Sequence, residues 1–150
     1  MSFWESLRIG TSGLTAQRLR LDLISNNIAN AQTTHTEKGG AYQRQDVVFL
    51  PDEKTNFSSH LKQARLAADV NNNVQGGVKV ARVFTDTSEG TKVYDPTHPD
   101  ANTDGYVTFP NVDVAVEMTN MLSATRSYEA NLATIDAVKR MALKALEIGR

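Results

Sequence analysis

The sequence contains no cysteine in its 150 residues, which excludes disulfides, thiolate zinc sites and a cysteine nucleophile. Its formal net charge is only −1, so nucleic acid and anionic membranes have no electrostatic support as partners. No run approaches the roughly 20 apolar residues that span a bilayer. The start, "MSFWESLRIG", lacks a basic region followed by an apolar one. We therefore expect neither a cleavable secretory signal nor direct membrane insertion.

The sequence also lacks the residue patterns of catalytic and metal sites. His35, His60 and His98 lie in predicted loops and have neither HxH nor HxxxH spacing. The stretch "DPTHPDANTDGYV" at 95–107 lacks the alternating oxygen ligands and distal glutamate of a calcium loop. No G-x-S-x-G motif occurs, and no carboxylate pair is anchored in an apolar run. We expect no enzyme activity, no metal and no cofactor.

Both ends of the chain carry long helical patterns. From Phe3 to about Asn30, apolar residues recur at helical spacing. Gly10 and Gly13 weaken this helix by up to about 1 kcal/mol each relative to alanine, so it needs a partner. The apolar stripe comprises Leu7, Leu14, Leu21 and Ile28, with Gly10, Gln17 and Ile24 three positions further on and Ile9, Ala16 and Leu23 beside it.

The second pattern runs from Val112 to about Ile148 without proline. It predicts a longer helix that begins after Asn111 as N-cap. Apolar residues on three- and four-residue steps predict a coiled-coil seam, broken once at Lys139. This predicted seam comprises Met118, Met121, Thr125, Tyr128, Leu132, Ile135, Ala142 and Leu146.

The middle of the chain changes to short β-type runs and polar loops. The stretch from Pro51 to Gln75 predicts a loop, with a helical turn near Leu61–Ala68. The predicted fold is therefore mainly α with a small β-containing insert, and its long N- and C-terminal helices form an antiparallel coiled-coil-like pair. The predicted strands lie within Ala41–Leu50, Gly76–Asp86, Thr91–Pro96 and Gly105–Pro110.

Four segments follow from these patterns. We assign 1–31 to an N-terminal assembly helix, 32–44 to an elbow, 45–111 to a β-rich insert with loops, and 112–150 to a C-terminal assembly helix. Periodicity alone supports self-assembly and a helical pair closed within one chain about equally, because amphipathic helices satisfy both arrangements.

The end of the first helix is rich in asparagine. In "SNNIANAQTTHTEKGGAYQR", from Ser25 to Arg44, the three residues Asn26, Asn27 and Asn30 span more than one helical turn. One intramolecular partner would not satisfy all three amides. Our hypothesis is that this stretch is an elbow laid against a neighbouring subunit. The alternative is a solvated helix end followed by a floppy loop.

The residues at both ends resemble a known family. "SGLTAQRLRLDLISNNIANAQTT" at 12–34 resembles the N-terminal signature of flagellar basal-body rod and hook proteins. "NVDVAVEMTNMLSATRSYEANLATIDAVKRMALKALEIG" at 111–149, which contains Glu117, resembles their C-terminal signature. The pieces at 41–49 and 93–113, together with the short length, are similar to the proximal-rod members.

This resemblance implies a structural subunit of the shaft between the basal-body ring and the hook. It implies export by the flagellar type III apparatus without a cleaved signal, and residence in the periplasm-spanning rod. It also implies helical polymerisation around a channel, with the terminal helices forming inner tubes. The implied partners are copies of the chain, other flagellar rod proteins, and ring and export-gate proteins. A coiled-coil adaptor of the export gate or ring, forming closed oligomers, is the alternative.

We expect the residues that contact other subunits to lie on both helices and at the asparagine-rich end. On the first helix they are Leu7, Leu14, Leu21, Ile24, Asn26, Asn27, Ile28 and Asn30. On the second they are Met118, Met121, Tyr128, Asn131, Leu132, Ile135 and Leu146.

Overall fold

The computed structural model of the chain describes residues 3–37, 39–52 and 76–148. Two long terminal helices flank two small antiparallel sheets, which confirms the predicted fold class. The predicted helical turn near Leu61–Ala68 and His60 lie outside the described residues. The elements in chain order are α1 (Phe3–Ala29), β1 (Gln45–Pro51), β2 (Val78–Thr85), β3 (Lys92–Tyr94), β4 (Tyr106–Thr108) and α2 (Val114–Ile148).

Helix α1 ends at its asparagines. The backbone N–H of Asn30 donates to the Asn26 carbonyl at 3.0 Å, and the Asn30 side-chain amide donates to the same oxygen at 2.9 Å. The hydroxyl of Thr33 then donates to Asn30 Oδ1 at 3.2 Å. Because an asparagine side chain competes for backbone groups in this way, it favours the end of a helix over its interior.

Helix α2 begins at a different cap from the predicted one. Asp113 Oδ1 accepts hydrogen bonds from the backbone N–H groups of Ala115 at 2.8 Å and Val116 at 3.2 Å. The prediction of Asn111 as N-cap was therefore wrong by two residues. Asp113 is the better cap because its carboxylate also meets the positive end of the helix dipole.

The two helices run antiparallel. Gly10 approaches Ile135, Gly13 approaches Asn131, and Asn27 bonds to Glu117. A Cβ atom at Gly10 would lie 2.6 Å from Ile135 Cγ1, and one at Gly13 would lie 2.8 Å from Asn131 Nδ2. The glycines that weaken α1 are therefore the places where α2 packs closely against its backbone.

The seam of α2 differs from the predicted one at every second position. A line of buried and half-buried residues faces α1, and we call it the inner line. It follows unbroken three- and four-residue steps and bypasses Lys139. The prediction missed it because it searched for large apolar side chains, whereas this line contains polar and small ones. The inner line comprises Glu117, Met121, Ala124, Tyr128, Asn131, Ile135, Val138 and Ala142.

The β1–β2 hairpin lies along α1. Its strands pair from Gln45 opposite Thr85 to Pro51 opposite Val78, with a bulge between Val48 and Phe49. Towards the start of α1, the Val78 N–H donates to Ser12 Oγ at 3.1 Å. Arg8 and Asp52 form an ion pair there at 3.2 Å. Helix α1 therefore contacts α2 on one side and the hairpin on another.

The second sheet pairs β3 with β4, from Lys92 opposite Thr108 to Tyr94 opposite Tyr106. Between these strands, Asn102 Oδ1 accepts the N–H groups of Asp104 at 3.0 Å and Tyr106 at 2.8 Å. These hydrogen bonds close a compact turn.

Candidate subunit interface

Two polar side chains stand out by their burial within the described part of the chain. Asn27 is 0% exposed and Glu117 is 1% exposed. They meet where the last turn of α1 faces the first turn of α2, and Asn27 Nδ2 donates to Glu117 Oε2 at 3.3 Å. Because burying an amide or a carboxylate without partners is costly, both side chains need hydrogen-bond partners inside the fold.

The Asn27 amide uses its full hydrogen-bonding capacity. Its Oδ1 accepts the Tyr42 hydroxyl and the Gln45 backbone N–H, each at 2.9 Å. Its Nδ2 donates to the Gln45 carbonyl at 2.8 Å and to Glu117. Two donated and two accepted bonds are all that an asparagine side chain offers. Asn27 is thus satisfied inside its own chain, by partners from three segments.

Arg44 supplies the positive charge that faces Glu117. Its Nε donates to Glu117 Oε1 at 2.9 Å, and its Nη2 lies 2.9 Å from the same oxygen. Its Nη1 also pairs with Asp46 at 3.2 Å. Burial alone would lower the pKa of Arg44, but its hydrogen bonds and charge contacts with Glu117 and Asp46 hold that pKa above its usual value. Burial, and then the charge of Glu117, raise the pKa of Tyr42.

We call Asn27, Tyr42, Arg44 and Glu117 the Glu117 cluster. It joins α1, the segment before β1, the first residue of β1 and α2 through side-chain contacts. Removing one partner of a buried ion pair costs about 3–5 kcal/mol because the other charge stays buried. The cluster therefore fixes how these segments meet.

The predicted elbow is bonded to its own chain. The Tyr42 N–H donates to the Thr33 carbonyl at 3.0 Å, and the Thr34 hydroxyl donates to Asp100 Oδ2 at 2.6 Å. A cleft of about 320 Å³ opens beside it, lined in part by His35 and Asn102. Within the described ranges, no group of three or more histidine and acidic side chains is arranged to hold a metal ion.

A group of five large apolar side chains on α2 is exposed although the helix packs against α1. Its members range in exposure from 45% at Leu132 to 73% at Leu146. Charged Glu129 and Asp136 interrupt the group. A group of exposed large apolar side chains on one helix marks an interaction site more often than a single exposed residue does. We call this group the outer stripe, and it comprises Met118, Leu122, Leu132, Leu143 and Leu146.

The outward face of α1 is polar by contrast. Three- and four-residue steps along it carry mostly hydroxyl, charged and small side chains, all exposed. The exposed apolar side chains of the outer stripe therefore have no counterpart along this row of α1. The polar row comprises Thr11, Thr15, Arg18, Asp22, Ser25 and Ala29.

The structure divides the predicted contact residues into three environments. Ile24 and Asn27 are buried within the chain. Asn26, Met118, Leu132 and Leu146 are exposed. The half-buried ones are Leu7, Leu14, Leu21, Ile28 and Asn30 on α1 and Met121, Tyr128, Asn131 and Ile135 on α2.

Sequence reasoning missed the roles of Tyr42, Arg44 and Glu117, and it left Leu122 and Leu143 out of the expected contacts. Glu117 had a signal, because it falls within the C-terminal family signature. Leu122 and Leu143 also had one, because each is a large apolar residue on a helix face adjacent to the predicted seam.

In the part of the chain that the structure describes, neither long helix is apolar over a stretch sufficient to cross a membrane.

Comparison with known proteins gives matches at both ends and along the full length. A family model described as "Flagella basal body rod protein" matches residues 7–34. Another, "Flagellar basal body rod FlgEFG protein C-terminal", matches residues 103–148. The chain is 44% identical to the flagellar basal-body rod protein FlgC of Bacillus subtilis (strain 168), covering 100% of both chains. It is 42% identical to FlgC of Borreliella burgdorferi, covering 99% of this chain and 98% of the relative. It is 38% identical to FlgC of Salmonella typhimurium, covering 95% and 94%.

Proposed function

The chain belongs to the flagellar basal-body rod protein family, and from this premise we propose that it is a structural subunit of the proximal rod. In this proposal, copies of the chain polymerise helically, transmit torque and line an export channel. A contact that joins two different surfaces and repeats by a rotation that does not close generates a tube. The partners are copies of the chain and other rod proteins, with ring and export-gate proteins at the ends.

The observation that carries the proposal is the outer stripe. Large apolar side chains such as Leu122 and Leu132 are exposed on a helix that already has a partner on its inner line. Burying the exposed half of such a side chain against a neighbour would stabilise the contact by about 1 kcal/mol. Many such contacts between long helices would resist torsion together, because each subunit would be held at several points.

The remaining expectations about place and contacts are part of the same proposal. The subunit resides in the periplasm-spanning rod after export without a cleaved signal. The half-buried residues of α1, such as Leu7, Leu14 and Leu21, contribute to contacts at the rim of the helical pair. The role assigned to the chain is mechanical and includes no catalytic step.

Substitution on the outer stripe tests this proposal. Leu132→Asp places a charge in the middle of the stripe while leaving the inner line intact, so the monomer should fold and assembly should fail. The matched control is Ser123→Asp, an exposed position of α2 away from the stripe. Swimming of a strain that depends on the variant and circular dichroism of the purified monomer are the measurements. Normal swimming with Leu132→Asp would contradict the proposal.

The same experiment separates a rod from a closed adaptor. Electron microscopy of purified assemblies should show tubes whose length varies for the unaltered chain. Rings of fixed size would support the adaptor instead.

A further inference from the structure

The outer stripe lies beside a seam that α2 does not use. A seam through Met118, Met121, Thr125, Tyr128 and Leu132 shares every second position with the inner line and shifts the others by one residue. One residue corresponds to about 100° around a helix, so rolling α2 by on the order of 50° would exchange the two seams.

Over residues 117–132, apolar burial alone favours the seam that is not observed, whereas further along α2 the inner line has Val138 where the other seam has Lys139. The inner line uses the carboxylate of Glu117, the methyl of Ala124 and the amide of Asn131 where the other seam offers Met118, Thr125 and Leu132. Rolling α2 would therefore remove two large, exposed apolar side chains from water. In this first half of α2, something other than apolar area must hold the helix in its observed orientation.

Of the two close approaches between the helices, one does not select between the seams. Ile135, which packs against Gly10, belongs to both. The other approach, that of Asn131 to Gly13, belongs to the inner line alone.

Glu117 belongs only to the inner line. Its two oxygens meet Arg44 and Asn27 from different segments. A roll would carry this carboxylate away from both partners and leave Arg44 without its main counter-charge.

We propose that the Glu117 cluster acts as a positioning device that orients α2 on α1, so that the outer stripe stays exposed for a second copy of this chain. Buried polar contacts of this type select one arrangement of helices over others that are equally apolar. The orientation of α2 is inferred from the described contacts alone, whereas the identity of the partner that covers the outer stripe rests on the proposed function.

The absence of cysteine makes the orientation measurable by thiol labelling of the purified monomer. Two single-cysteine reporters are needed, Leu132→Cys on the outer stripe and Ala124→Cys on the inner line. In the unaltered background, Cys at position 132 should react at least about tenfold faster than Cys at position 124, because the buried thiol is labelled only when the contact between the helices opens.

The test variant combines Arg44→Met with Glu117→Leu, which removes both charges and leaves neither buried alone. We expect the labelling difference to shrink to about threefold or less, with position 132 slower and position 124 faster than before. The midpoint of thermal unfolding should stay the same or rise. Glu117→Gln keeps the shape of the side chain but offers one acceptor oxygen in place of two and removes the counter-charge of Arg44, so the labelling difference should shrink in this variant as well. Asp52→Asn, which disrupts the Arg8 pair elsewhere on α1, is the matched control and should retain the original labelling pattern.

An unchanged labelling pattern in the double variant would overturn the inference, because packing alone would then orient α2. Fast labelling at both positions would also overturn it, because the cluster would be attaching α2 rather than orienting it. Sedimentation of the same variant, which measures polymer formation, tests the proposed function separately from the inference about orientation. If the labelling difference shrinks and the variant no longer polymerises, both the positioning role of the cluster and the proposed function are supported. If the labelling difference shrinks and the variant still polymerises normally, the positioning role is supported and the role of the stripe in assembly is contradicted.

Discussion

At the scale of single residues, the two neighbouring asparagines have opposite environments. Asn27 is buried and holds four hydrogen bonds to Tyr42, Gln45 and Glu117, while Asn26 is exposed. The sequence showed that an asparagine-rich helix end was unusual, but it did not show which amide turned inwards. That depends on Tyr42 and Gln45, which return to α1 only once the elbow has folded.

This difference predicts unequal costs for the same substitution. Asn27→Ala leaves the backbone groups of Gln45 and the Tyr42 hydroxyl without their partner, and each unsatisfied buried group costs about 1–3 kcal/mol. We expect a loss of about 2–4 kcal/mol in the free energy of unfolding. Asn26→Ala is the control and should change it by less than about 0.5 kcal/mol. Urea denaturation of both variants is the measurement, and equal losses would contradict the assigned contacts.

At the scale of elements, the sequence predicted the helices and strands well and the helix contact only in part. Both terminal helices and all four strands lie within or close to their predicted ranges, because periodicity, proline and glycine mark them locally. The seam of α2 was predicted half correctly. Glu117 and Asn131 are polar, so a search for apolar steps passes over them, and only tertiary contacts show that they face α1.

The close helix contact gives a second prediction. Alanine is the better helix former, so Gly10→Ala should stabilise an isolated α1 by up to about 1 kcal/mol. In the folded chain the added Cβ would lie 2.6 Å from Ile135 Cγ1, so we expect a net loss of about 1–3 kcal/mol from overpacking.

The companion substitution Ile135→Ala is the control for that loss. It removes the crowded side chain, so adding Gly10→Ala in its background should be neutral or stabilising. Thermal unfolding of the double-mutant cycle gives the interaction term. The same cost for Gly10→Ala in both backgrounds would show that the two residues do not meet.

At the scale of the whole molecule, the hairpin and α2 pack on different sides of α1. The hairpin is tied to α1 at both ends, by Asn27 with Gln45 and by Ser12 with Val78, so it lies along the helix. The sequence predicted the insert but not this placement, because it depends on a few hydrogen bonds between segments that are distant in the sequence. On α2, this arrangement leaves the apolar side chains of the outer stripe exposed.

The central claim is that the outer stripe becomes buried between copies of the chain in the rod. The most direct measurement is thiol labelling of a Leu132→Cys chain, as purified monomer and in purified rods, with denatured rods as the reference for complete labelling. The account predicts rapid labelling of the monomer, since Leu132 is 45% exposed there, and protection by at least about tenfold in the rod. Equal labelling rates in monomer and rod would contradict it.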